Sequence, residues 1–149
     1  MREQQVRYKT ATLGITAQWK WRGKEYPHIL PKDCWSLNLW EEISYKAILN
    51  FEQSAIAWHK YKHNLLSSMG MCINIFFPLK KHLDVLGPWL SSHFGDVESV
   101  VDRDFEYIGP KSTNYFGETG SRGQNRTSSD VSITWLDKAK RKNMLLLEF

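Results

Sequence analysis

The sequence predicts an α/β fold from three observations. Apolar residues recur three or four apart between residues 36 and 94, apolar and polar residues alternate after residue 97, and a stretch rich in Gly, Ser and Asn separates the later strands. At 149 residues the chain suits one modest domain, 1–149. Its parts are an irregular or strand-like lead (1–35), a mainly helical part (36–94) and a sheet core (97–149) that holds a loop at 109–129.

In the lead, Gly14, Trp19, Trp21, Gly23, Tyr26 and Pro27 space aromatic residues among turn formers, which predicts short strands or an ordered loop and no helix. A helix is expected from Ser36, with Ser36 or Asn38 as N-cap and Glu41 and Glu42 in its first turn. Ile43, Ala47, Ile48, Phe51, Ala55, Ile56, Trp58 and Leu65 then form the buried stripe of a helix or a helix pair. Ser67 to Phe77 reads as a buried helix closed by Pro78, although its β-branched and aromatic end is also compatible with a strand. Leu83 to Phe94 suits an amphipathic helix broken near Gly87-Pro88, and Val97 to Ile108 a strand.

Composition narrows the function classes. With 42% hydrophobic and 24% charged residues the chain is too apolar for a disordered tail, and no run approaches the roughly 18 apolar residues of a membrane span. Lys and Arg number 20 against 16 Asp and Glu, a tilt toward polyanionic partners. Cys34 and Cys72 form no C-x-x-C pair and Met1 to Gln5 has no signal-peptide core, so a reducing, cytoplasmic setting is expected. Ser67 and Ser68 lack the G-x-S-x-G frame of acyl transfer, and no phosphate loop is present. His59 and His63 stand four apart on a basic stretch, without the further ligands that zinc requires. The seven tryptophans serve core packing or base stacking.

The chemistry concentrates in the last third. Val131, Ile133 and Trp135 alternate with Asp130, Ser132 and Thr134, the period of a strand with one polar face. A charged turn leads to Met144–Phe149, read as a central strand buried on both faces, in which Glu148 is the one charge. A carboxylate buried there needs a cation, a proton or a salt bridge to a nearby Lys or Arg. A hairpin folded symmetrically about Ala139 sets Asp130 opposite Glu148, with Cβ atoms roughly 4.5–5.5 Å apart. A hard divalent cation, Mg²⁺ or Mn²⁺, answers two carboxylates at that spacing.

Asp130, the turn and Leu145-Leu146-Leu147-Glu148-Phe149 resemble the D…(D/E)-x-K signature of the PD-(D/E)xK nuclease superfamily. Asn64-Leu65-Leu66-Ser67-Ser68-Met69, Cys72-Ile73-Asn74 and Tyr115-Phe116-Gly117-Glu118 are similar to segments of restriction-endonuclease-like proteins. The resemblance runs from about Gly23 onward. It implies helices on an incomplete mixed sheet, Mg²⁺-dependent hydrolysis of DNA phosphodiesters, and Asp130 and Glu148 as catalytic metal ligands, with Glu118 behind them. The chain stops one residue before the place of the family's lysine, so the resemblance predicts a fragment with weak or no cleavage by itself, and a homodimer or partner chain completing the sheet. Arg122, Arg126, Lys138, Lys140, Arg141 and Lys142 are the expected DNA contacts. The rival reading is a non-catalytic DNA-binding or protein-interaction module built on a nuclease fold.

Overall fold

The computed structural model describes residues 1–54, 56–108 and 128–149, arranged as two compact units, Met1–Phe77 and Pro78–Phe149. Helices and two small antiparallel sheets give the expected mixed α/β class. Among the described residues no helix is long and apolar enough to cross a membrane.

The first unit opens with a helix that the sequence did not announce, α1 (Arg2–Arg7), which widens into a π turn over Tyr8–Thr12. That turn sinks Lys9 to 1% exposure. Its ammonium donates to the carbonyls of Ala17, Pro27 and Ile29 at 2.5, 3.0 and 2.8 Å, which uses all three of its donors. With no carboxylate paired to it among the described residues, the cation is tolerated there because three carbonyl dipoles replace water, and burial still lowers its pKa. The next elements are the anticipated short strands, β1 (Trp19–Trp21) and β2 (Lys24–Tyr26). Arg22 and Gly23 join them with φ of 50° and 73°, the two left-handed residues of a type I′ hairpin turn.

The helix expected from Ser36 is corrected. Lys32–Asn38 is 3-10, Leu39 is extended, and α2 runs over Glu41–Gln53 behind an N-cap at Trp40. Asn38 does not cap because its amide is used elsewhere, donating to Lys62 O at 3.0 Å and Asn64 O at 2.9 Å. Ile43, Ala47 and Phe51 form the buried face of α2 as expected. The stripe goes no further on that helix: Ile56 and Trp58 lie in irregular chain, and Leu65 follows an isolated bridge between Ile29 and Asn64. The buried helix near residue 67 is borne out as α3 (Ser68–Phe76), capped by the Ser67 hydroxyl, which accepts from Gly70 N–H. Gly70 lets α3 approach Asn38 so closely that an added Cβ would lie 2.7 Å from the Asn38 Nδ2.

In the second unit α4 (Leu83–Phe94) passes through Gly87-Pro88 without the expected break. A residue before proline is normally driven out of the helix by its own Cβ, and glycine has none. β3 (Val97–Tyr107), β4 (Ser129–Asp137) and β5 (Lys142–Leu147) pair antiparallel in that order, so β4, not β5, is the central strand. The expectation that Met144–Phe149 is buried on both faces fails for the same reason: Met144, Glu148 and Phe149 are exposed along a sheet edge. Val131 and Ile133 are fully buried in β4, and Phe94 of α4 packs on Trp135 with ring centres 5.4 Å apart.

Candidate functional site

The β4–β5 hairpin closes through Lys138, Ala139 and Lys140. Lys140 is left-handed at φ 62°, and its N–H donates to Asp137 O at 2.8 Å. Asp137 locks the turn by accepting from Arg141 N–H at 2.9 Å and Arg141 Nε at 2.8 Å. Those hydrogen bonds, the backbone one first, hold its carboxyl below the usual range.

This turn sets the predicted register. Val131 pairs with Leu147, Ile133 with Leu145 and Leu136 with Lys142, and continuing the ladder by one residue brings Glu148 level with Asp130. The Asp130 Oδ2 accepts from Phe149 N–H at 2.8 Å, which fastens the two segments at that level.

The other side of the sheet adds a carboxylate that the sequence reading missed. Phe105 pairs with Val131 and Tyr107 with Ser129, so Glu106 stands across from Asp130. Glu106 on β3, Asp130 on β4 and Glu148, one residue beyond β5, therefore stand in one row. Glu106 takes a left-handed backbone, φ 49°, which costs a non-glycine residue about 1–2 kcal/mol. Its Oε2 accepts from the Ser128 hydroxyl at 2.7 Å. The row is electrostatically coupled: partial desolvation, then the charge of Asp130, then that of Glu106, raises the Glu148 pKa above the ordinary glutamate value. The sequence held one signal for Glu106, its place in the strand predicted over 97–108. Its register against Asp130 depends on a connection too long to read from spacing.

An all-oxygen donor set matches a hard divalent cation in kind. In the arrangement described, Asp130 and Glu106 each spend an oxygen on a protein donor. Among the described residues no three His, Cys, Asp or Glu side chains stand close enough together to hold a metal ion.

The expected DNA contacts divide. Lys138 pairs with Asp96 at 3.2 Å and Lys140 with Glu98 at 2.6 Å, while Arg141 pairs with Asp137, so these three cations brace the hairpin to its neighbouring strand and turn. Lys138, Lys140 and Arg141 remain at least 70% exposed. Lys142 is exposed at the start of β5. Glu118, Arg122 and Arg126 lie outside the described residues.

The model of the family described as restriction endonuclease associating with ARP matches residues 2–148, and the chain belongs to that family. No curated protein and no solved structure matches the chain.

Proposed function

We propose that this chain is a Mg²⁺-dependent nuclease of the PD-(D/E)xK kind, acting on DNA phosphodiester bonds, with Asp130 and Glu148 as its metal ligands and Glu106 as a neighbouring carboxylate at the same level of the sheet. The observation that carries the reading is the Glu106–Asp130–Glu148 row in a chain of this family. Three carboxylates in line repel, and the charges of Asp130 and Glu106 add to the desolvation that raises the proton affinity of Glu148. A divalent ion bound there supplies positive charge against the scissile phosphate and acidity to a neighbouring water. Asp130 presents its carboxylate from the start of the central strand, and Glu148 releases its proton as the row is neutralised, so ion binding strengthens with rising pH.

The exposed Lys138, Lys140, Arg141 and Lys142 fit contacts with a phosphate backbone, exchanging protein carboxylates for phosphates. Cys34 and Cys72, which form no disulfide, fit a reducing, cytoplasmic setting. The family's description names an association with ARP, and the exposed edge at β5 is where a partner strand, or a second copy, would add. The second reading, a non-catalytic DNA-binding or protein-interaction module, draws support from the hydrogen bonds that already hold Asp130 and Glu106.

The test is nicking of supercoiled plasmid with Mg²⁺, Mn²⁺ or EDTA, alongside calorimetric titration of Mg²⁺ into the chain. Metal-dependent nicking that Asp130→Asn and Glu148→Gln abolish bears out the nuclease. Mg²⁺ binding that is absent, or indifferent to both substitutions, refutes the metal site and leaves the binding module.

A further inference from the structure

The first unit contains a cavity of about 560 Å³, within the range of small-molecule sites. It is built from segments that the fold pins in place. Leu30 N–H donates to His63 O at 2.9 Å and Leu65 N–H to His28 O at 3.2 Å, around the bridge between Ile29 and Asn64. From one side the buried Lys9 ammonium grips the carbonyls of Pro27 and Ile29, and from the other Asn38 grips those of Lys62 and Asn64.

Two kinds of side chain line the space. Trp19 and Tyr26, a cross-strand pair on the β1–β2 hairpin, and Tyr61 supply aromatic walls. Trp19 meets His63 edge-on at 5.2 Å. Arg2, Lys32 and Lys60 bring cations, with Lys32 Nζ 5.2 Å from the Trp19 ring centre and Lys60 Nζ 4.8 Å from that of Tyr61. No carboxylate is among the lining residues described.

His28 and His63 are both 4% exposed, and burial together with Arg2 and Lys9 for the former, and Lys32 and Lys62 for the latter, lowers their pKa values. The Arg2 Nε donates to His28 Nδ1 at 3.2 Å, which leaves the neutral ring's Nε2–H as a donor. Aromatic walls favour a flat ring, neutral imidazoles offer hydrogen bonds to its edge, and cations without facing carboxylates favour an anion.

We propose that this pocket binds one phosphorylated nucleoside, with the base against Trp19 and Tyr61 and the phosphate against Arg2, Lys32 and Lys60. The ligand is either a free nucleotide or the 5′-phosphorylated end of a strand, which share this chemistry. The pocket has no residue in common with the carboxylate row, so the two readings stand or fall separately.

The experiment titrates the full chain with 5′-dAMP, deoxyadenosine, inorganic phosphate, and single-stranded oligodeoxynucleotides bearing a 5′-phosphate or a 5′-hydroxyl. Tryptophan fluorescence gives affinity, and imidazole resonances report on His28 and His63. The exposed Lys32 and Lys60 permit Lys32→Glu and Lys60→Glu without disturbing the core, which circular dichroism verifies. The expected result is dAMP binding at least about tenfold tighter than deoxyadenosine or phosphate, weakened about tenfold by either substitution, with both histidine signals shifted. A 5′-phosphorylated strand that outbinds both dAMP and its 5′-hydroxyl counterpart identifies a strand end, and dAMP binding at least as well identifies a free nucleotide. The proposal is overturned if dAMP binds no tighter than deoxyadenosine, if neither substitution weakens it, or if the histidine signals do not move.

Discussion

Replacing Glu148 by Gln removes a charge from the carboxylate row while keeping the side chain's size. Cross-strand neighbours lie roughly 5 Å apart, and two unit charges at that distance repel by about 0.8 kcal/mol in water-like surroundings. That dielectric applies because Glu148 is exposed. Glu106, one strand further at roughly 10 Å, adds about 0.4 kcal/mol, and salt screens this longer pair first, since the Debye length is about 8 Å at physiological ionic strength. Glu148→Gln therefore stabilises the chain by about 1 kcal/mol at pH 7.5 and low salt, and by about half as much in 0.5 M NaCl. Because the folded-state pKa of Glu148 is raised, its favourable contribution is full below the unfolded pKa and is lost as pH rises through the folded one. The gain from Glu148→Gln accordingly vanishes in acid. Urea unfolding followed by circular dichroism measures it as a higher midpoint at unchanged slope. A midpoint that is unchanged or lower at low salt and pH 7.5 would refute the repulsion on which the site assignment stands.

Three further outcomes follow from the packing. Asp137 has a lowered pKa, so its stabilisation is present above the ordinary carboxylate pKa and is lost as pH falls through the depressed one; Asp137→Asn should flatten the acid side of a stability-against-pH curve. Gly70→Ala pushes its new Cβ into Asn38 and strips the donors from the carbonyls of Lys62 and Asn64, a loss of about 1–3 kcal/mol visible in the urea midpoint. Lys9→Met leaves the carbonyls of Ala17, Pro27 and Ile29 without their donor and lowers stability by about 2–4 kcal/mol, with amide exchange rising around residues 27–30.

The periodicity of side chains made several elements legible. The apolar spacing of Ile43, Ala47 and Phe51 marks α2, the small and apolar run after Ser67 marks α3, and the alternation through Val131, Ile133 and Trp135 marks β4. A short turn transmits register from sequence to space, so the level of Glu148 with Asp130, one residue beyond the Val131–Leu147 pair, followed from the hairpin's length alone. Local rules misled where a side chain had a stronger use elsewhere. Asn38 looks like a helix cap, yet its amide holds Lys62 and Asn64, and Pro88 looks like a break, yet Gly87 removes the clash that would cause one.

What remained hidden depends on residues far apart in the chain. The sequence by itself determined the α/β class, the polar face of β4 and the opposition of two carboxylates, because each rests on periods or turns spanning a few residues. Only the tertiary structure decided that β4 is the central strand, that Glu106 extends the row across the sheet, and that Lys9 and Asn38 clamp the walls of a basic aromatic pocket. Those arrangements join segments separated by long connections. Their closure depends on the balance of burial and hydrogen bonding over the whole fold, which no local pattern records.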